Sequence, residues 1–223
     1  QQILATNESV HHWMDEGFTS YAEDFVMHQL LPPSQPIPNP YIENIERYIS
    51  FAKSGKEQPA GWLADHYDSG ASYSMASYVK GELFLVGLGY IMGEEKLAQV
   101  MKQYYYDWAM KHPTDRDFMH IAQKLSGMDL KWFHHYWINT TKTIDYAIKD
   151  IQFKDNSTTI VLANNGEVPM PIDFSVVKQD GSIQHYHIPL NMMRSPKKTD
   201  YFGKFETMPY WNWTEKEYSM TIP

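Results

Sequence analysis

The spacing of apolar residues changes near Thr143, and this change limits the fold more than any other feature of the sequence. Before it, apolar residues recur at helical spacing in segments separated by Pro and Gly. After it, "IDYAIKDIQF" alternates with a period of two and leads to a polar turn at Asp155–Ser157. The stretch "IDFSVVKQDGSIQHYHIPL" predicts a β-hairpin that turns at Asp180-Gly181. The sequence therefore predicts an α-helical domain over residues 1–143 and a β-sandwich over residues 144–223.

Several helices are expected in the first domain, and Pro or Gly marks most of their ends. The first begins between Thr6 and Glu8 and ends near Leu30, because the prolines of "LLPPSQPIPNP" cannot continue a helix. The apolar stripe of this helix is expected to face the core and consists of Val10, Met14, Tyr21 and Phe25. Further helices are expected over residues 41–54, 75–92, 94–112, 114–126 and 128–140.

Composition excludes several classes of protein and of site. Hydrophobic residues make up 43% of the 223 residues, which is enough to form a core. The net charge of −8 argues against a nucleic-acid partner, since such proteins carry basic patches. The sequence has no Cys, which excludes disulfides, thiolate zinc sites and Cys nucleophiles. No apolar run reaches the length of a membrane-spanning helix, so no transmembrane segment is expected.

A few polar residues lie where they could form a site. Glu16 follows His12 by four residues and shares its helix face, so the pair could hold a divalent metal or simply form a solvated polar face. From periodicity alone, Tyr73 and Tyr78 are expected to be core residues of an amphipathic helix. His185 and His187 share one strand face. We expect this face to be exposed rather than to bind a metal ion.

Two short motifs resemble one protein family. The segment "WMDEGFTSYAE" is similar to the W-x-[ND]-E-G-F-[AT]-x-Y-x-E segment of the M1 family of zinc aminopeptidases, the gluzincins. The segment "YSMASYVKGELFL" resembles the family's Y-x-x-x-x-Y-x-K-G pattern, and "DFMHIAQKLSGMDLKWFHHYW" looks like its late catalytic-domain helices. The resemblance implies an α+β multidomain fold, with the latter part of a helical gluzincin catalytic domain followed by a β-sandwich.

The resemblance also implies roles for individual residues. It makes Glu16 the third ligand of the single zinc ion of the full-length enzyme, and it gives the preceding His pair no metal role, which leaves His12 for packing or the surface. Tyr78 would donate its hydroxyl to the oxyanion of the tetrahedral intermediate. Tyr73 would support the wall of the substrate pocket. Asp15 is expected to cap or to support the site, and peptides are the implied substrates.

The chain departs from the family pattern at one decisive point, because it contains no H-E-x-x-H motif. Only 15 residues precede Glu16, so the family spacing would place the second His just upstream of Gln1. We therefore expect a C-terminal fragment whose partner is the missing upstream part of the catalytic domain. On its own it is expected to be inactive and without the catalytic zinc. Gly17 is expected to keep its helix thin where the missing helix would pack.

One alternative to the enzyme stays open. Some relatives of metallopeptidases lose their metal ligands and act as binding or scaffold modules without catalytic activity, and the sequence upstream of the chain would decide between the two. The resemblance suggests that the protein belongs to the exported or cell-envelope fraction of a bacterium.

Overall fold

The computed structural model of the protein describes residues 3–30, 39–155, 157–198 and 203–223. The chain forms two compact units. The first consists of Gln1–Ser126 with Leu130–Thr141, and the second of Gly127–Asp129 with Lys142–Pro223. Within the described ranges, every helix is too short or too polar to cross a membrane.

The first unit is built from helices. They are α1 (Glu8–Leu30), α2 (Ile42–Lys53), α3 (Gly70–Ser74), a π-helical segment (Met75–Lys80), α4 (Gly81–Met92), α5 (Glu94–Trp108), α6 (Asp115–Ser126) and α7 (Lys131–Asn139). Gly93 separates α4 from α5 with φ of 92°, and Gly127 ends α6 with φ of 72°, values that favour glycine. Both interruptions were expected from the sequence, whereas most of the proline-rich segment, residues 31–38, lies outside the described residues.

The core of the first unit is aromatic, and α1 presents a different face to it from the one expected. Trp13, Met14 and Phe18 are buried, whereas Val10 and Phe25 of the expected stripe are exposed. Of that stripe Met14 alone is fully buried, since Tyr21 is half-buried. A kink at residue 11, whose φ of −122° and ψ of 39° are not helical, separates Val10 from the rest of this stripe. A stripe read with one period across the kink therefore misplaces Val10.

Several buried rings of this core pack edge to face, one of the arrangements that aromatic pairs prefer. Trp13 lies 5.2 Å from Phe84, and Phe18 lies 4.9 Å from Phe118, measured between ring centroids. A fifth ring, Tyr104, lies 5.1 Å from Phe118. These contacts join α1 to α4, α5 and α6, so the residues that follow Trp13 on α1 are held in a fixed place.

The second unit contains two three-stranded sheets. The strands are β1 (Tyr146–Lys154), β2 (Ser157–Asn164), β3 (Ile172–Val177), β4 (Ile183–Ile188), β5 (Glu206–Thr207) and β6 (Glu217–Ile222). Their orders are β1-β2-β6 and β3-β4-β5, and the pairs are antiparallel except for β4 with β5. The predicted fold class, an α-helical part followed by a β-rich part, is confirmed.

The β3–β4 hairpin turns at Asp180-Gly181 as predicted, with Gly181 at φ of 82°. Of the predicted turn at Asp155–Ser157, the middle residue lies outside the described residues. The prediction of an exposed strand face is wrong for His187, which is completely buried. Its register partner Asp173 lies beside it, and a carboxylate oxygen 2.6 Å from the Nδ1 atom satisfies that buried ring nitrogen.

Candidate active site

Two glycines let the helices of the site approach each other closely. A Cβ atom placed on Gly17 would lie 2.4 Å from the carbonyl carbon of Gly81, and one on Gly81 would lie 2.4 Å from the carbonyl oxygen of Trp13. No side chain fits at such distances, so the backbones of α1 and α4 are in direct contact. Among the described residues, it is therefore the backbone of Gly81 that leaves no room for a side chain at position 17. This contact brings Glu16 close to the residues that precede Gly81.

Tyr78 lies on the π-helical segment directly before that contact. Its neighbours Ser77 and Val79 are buried, whereas the Tyr78 side chain is 40% exposed. A π-helical turn is wider than an α-helical one, is rare, and occurs frequently at functional sites. The segment thus presents one accessible phenol from an otherwise buried stretch of chain.

The phenol of Tyr78 lies beside the carboxylate of the half-buried Glu16. This neighbouring carboxylate is the main cause that raises the pKa of Tyr78 to about 12, with a smaller contribution from burial. At neutral pH the phenol therefore keeps its proton and acts as a donor. The structure places the two residues, which come from separate motifs, in one site.

Tyr73 lies on α3, the short helix that leads directly into the π-helical segment. Its ring centroid is 5.1 Å from the His12 ring and 5.7 Å from the Tyr67 ring. The residue is half-buried and lies close enough to Tyr78 to affect its ionisation. The structure thus brings the three residues singled out in the sequence, at positions 16, 73 and 78, into one region of the first unit.

His12 does not belong to a metal site. It is completely buried, with Nδ1 at 2.7 Å from the Ser77 hydroxyl and Nε2 at 3.0 Å from the Trp62 carbonyl oxygen. Both ring nitrogens are thus engaged, and burial lowers the pKa of the ring, which favours the neutral form. The predictions that His12 lies on a solvated face or binds a metal are therefore wrong, and its predicted packing role is confirmed.

The remaining side chains do not complete a zinc site. Catalytic zinc takes three protein ligands and one water or substrate molecule. Within residues 3–30, 39–155, 157–198 and 203–223, no group of three His, Asp or Glu side chains could hold a metal ion. Asp15 next to Glu16 is buried inside the unit. The residues present therefore do not fit the complete ion site, and Glu16 supplies a single carboxylate.

Sequence reasoning missed one buried charge beside the site. Lys80, two residues after Tyr78, is only 1% exposed and forms an ion pair with Glu57. Its position in the Y-x-K-G motif is the signal that could have identified it. No local signal points to its partner, because the loop that carries Glu57 is 23 residues away.

The comparisons with known proteins agree with the motifs. The model of the peptidase family M1 domain matches residues 4–137, which is more than half of the chain. Legionella pneumophila aminopeptidase A, solved in complex with aspartic acid, has a similar fold, with a TM-score of 0.56 and 11% identity over 97% of this chain. An M1 zinc metallopeptidase mutant from Deinococcus radiodurans, solved with a Tyr-Ser-Ala substrate, has a TM-score of 0.46 and 15% identity over 58% of this chain. Among curated proteins, no relative matches.

These similarities cover only part of the other molecules. The chain spans 22% of the Legionella structure and 27% of the Deinococcus structure. At 11% identity the similarity to the Legionella structure supports the fold alone. The family model matches most of the helical unit, including both the Glu16 and the Tyr78 segments. This match assigns the sequence to a family. The chain belongs to peptidase family M1.

Proposed function

We propose that the chain is part of a zinc-dependent aminopeptidase that hydrolyses N-terminal residues from peptides. The observation that carries this proposal is the backbone contact of Gly17 with Gly81, which brings the Glu16 carboxylate beside the Tyr78 phenol. It unites two segments that are far apart in the sequence and that both resemble catalytic motifs of the same family. Membership of peptidase family M1 supports the reaction class.

Each residue has a distinct task in this proposal. Glu16 supplies one carboxylate ligand to a zinc ion, and the other ligands come from a part of the protein outside this chain. In metallopeptidases such an ion activates water and polarises the scissile carbonyl. Tyr78 donates its O–H to the oxyanion that develops in the transition state, and Tyr73 forms the adjacent wall of the pocket. The isolated chain lacks the remaining ligands and is inactive.

Hydrolysis of aminoacyl-anilides by the complete protein tests these roles. Glu16→Ala should abolish turnover, because it removes a metal ligand. Tyr78→Phe should lower kcat by about 10²–10³-fold, the usual cost of losing one oxyanion donor. Two exposed residues provide matched controls, Glu8→Ala on the same helix and Tyr106→Phe on α5, and both should leave turnover unchanged.

Two results would contradict the proposal in different ways. Turnover that survives Glu16→Ala removes this carboxylate from the metal shell. A complete protein that hydrolyses no aminoacyl-anilide and no peptide, although it is folded and supplied with zinc, favours the binding or scaffold module instead of an enzyme.

A further inference from the structure

Lys80 is the last residue of the π-helical segment that carries Tyr78, and its ammonium group is inside the protein. The side chain is 1% exposed. Its Nζ atom donates to a carboxylate oxygen of Glu57 and, at 2.8 Å, to the carbonyl oxygen of Thr140. The same Nζ atom lies 5.9 Å from the ring centroid of Tyr48 and 5.7 Å from that of Trp137, within the range of cation–π attraction.

The backbone of the same residue is held as well. The indole Nε1 of Trp137 donates to the carbonyl oxygen of Lys80 at 2.9 Å. Glu57 in turn accepts from the hydroxyl of Tyr48 at 2.9 Å, so its carboxylate is oriented by two donors. The end of the π-helical segment is thus tied to α2, to the loop after α2, and to α7 and the residue that follows it.

Net stability does not account for this arrangement. Taking a carboxylate and an ammonium out of water costs several kcal/mol per ion, and a hydrophobic pair of similar volume is often as stable. A hydrogen-bonded ion pair does, however, fix the relative positions of the groups that carry it. The group nearest to Lys80 that needs a fixed position is the accessible phenol two residues earlier.

We propose that Lys80 is a positioning residue, whose ammonium group, held by Glu57 and Thr140, keeps the π-helical segment in the geometry that places the Tyr78 hydroxyl against Glu16. The catalytic consequence of this inference rests on the proposed function, whereas the geometric part concerns this chain alone. Lys80 touches neither substrate nor ion in this proposal and acts only through Tyr78.

The geometric part is tested with the 223-residue chain labelled with ring-¹³C tyrosine. Tyr78→Phe assigns the Tyr78 signal, and Glu16→Gln should shift it because the charge beside the phenol is removed. In the double variant Lys80→Met/Glu57→Gln, which removes both charges at nearly constant volume, Glu16→Gln should no longer shift the Tyr78 signal. A shift of the same size in both backgrounds overturns the proposal.

A milder variant keeps the test decisive if the double variant does not fold. Glu57→Asp retains both charges but withdraws the carboxylate by one methylene group. It should reduce the Glu16→Gln shift of the Tyr78 signal, while the urea midpoint confirms a folded chain. An undiminished shift in this folded variant also overturns the proposal.

The catalytic part is tested in the complete protein by a double-mutant cycle. Lys80→Met/Glu57→Gln should lower kcat by ~10–100-fold with little change in KM, as expected when a catalytic group is misplaced. In a Tyr78→Phe background the same change should have almost no further effect, because both act through one group. Full additivity overturns the proposal. If Tyr78→Phe alone leaves kcat unchanged, the proposed role of Tyr78 fails, and the tyrosine signals of the chain still decide the geometric part.

Discussion

Glu82 shows how strongly a single buried carboxyl group can depend on its neighbours. It is completely buried on α4, and its Oε2 atom accepts from the Asn44 amide at 2.6 Å. Burial is the main cause that raises the pKa of Glu82 to about 8, with a further contribution from the neighbouring Asp24 carboxylate and smaller opposing effects of Asn44 and Arg47. The folded chain therefore favours the protonated form of this carboxyl, whereas the unfolded chain ionises it near its ordinary pKa.

The first prediction concerns the pH dependence that follows. The pKa of Glu82 is higher in the folded than in the unfolded chain, so its contribution to the free energy of unfolding is complete below about pH 4.5. It is lost as the pH rises through about 8. We expect Glu82→Gln, which mimics the protonated form, to raise the free energy of unfolding at pH 9 by about 2 kcal/mol.

Urea unfolding at pH 5 and pH 9 measures this difference. The gain from Glu82→Gln should be largest at pH 9 and close to zero at pH 5. Glu95→Gln on α5 is the matched control, since this side chain is exposed and should change nothing at either pH. An equal effect of Glu82→Gln at the two pH values would show that the folded chain does not shift the titration of this group.

At the scale of the element, the contact between α1 and α4 depends on having no side chains at two positions. A Cβ on Gly17 would meet backbone atoms of Gly81, which cannot rotate away as a flexible side chain can. The second prediction is that Gly17→Ala lowers the free energy of unfolding by about 3 kcal/mol, at the upper end for overpacking. Urea unfolding measures it.

The matched control is Gly70→Ala at the start of α3, where an added Cβ meets nothing within 4 Å. It should be neutral or slightly stabilising, because alanine favours helix. The same Gly17→Ala variant should also displace the Glu16 carboxylate from the Tyr78 hydroxyl. If Gly17→Ala is as well tolerated as Gly70→Ala, the two helices are further apart than the structure shows.

The β3–β4 hairpin contains a buried charged network that gives the third prediction. Asp173 receives hydrogen bonds from His187 and from the buried Lys197. Burial raises the pKa of Asp173, but these two partners lower it more, so it lies below its usual range. The stabilisation is therefore present above the ordinary pKa of an aspartate and is lost as the pH falls through the lower, folded value.

We expect Asp173→Asn to lower the free energy of unfolding of the second unit by about 3 kcal/mol at neutral pH, because it breaks a buried pair on one side. Amide signals of β3 and β4 followed in urea give the measurement. Asp150→Asn on β1 is the control, since that residue is exposed. A loss no larger than the control's would mean that the network does not stabilise the hairpin.

The elements could be predicted from the sequence wherever the signal is local. Gly93, Gly127 and the pair Asp180-Gly181 mark ends and turns through their own backbone preferences, and the structure has them there. The buried face of α1 could not be predicted, because it depends on a kink at residue 11 and on a contact with Gly81, far along the chain. Distant packing decides such features, and periodicity within one helix does not contain them.

The same distinction applies to the candidate site. Motifs identified Glu16 and Tyr78, and the roles of these residues and of Tyr73 stay predictions. The burial of Lys80 could not be predicted, because its partners Glu57 and Thr140 are 23 and 60 residues away. The motif does not indicate which side chains will contact its Lys, and lysines are usually exposed.

At the scale of the whole molecule, the family match and the motif content differ in extent. The family model matches residues 4–137, and the chain has no H-E-x-x-H motif. Its two units nevertheless each have a core of their own, formed by the aromatic cluster in the first and by residues such as Ile188 and Trp211 in the second. Each unit can therefore be compact by itself, whatever the residues outside this chain contribute.

The last prediction concerns zinc binding by this chain. A single carboxylate such as Glu16 cannot hold zinc as three ligands do, so we expect one-to-one binding no stronger than about 4 kcal/mol, a dissociation constant on the order of 1 mM or weaker. Calorimetric titration of the metal-free chain with zinc measures this value, and Glu16→Ala should leave it nearly unchanged. Tight binding that Glu16→Ala abolishes would show that the chain itself completes the site around Glu16, whereas tight binding that survives this change would place a zinc site elsewhere in the chain. Either result would contradict the prediction, and the first would mean that the missing ligands are already present in these 223 residues.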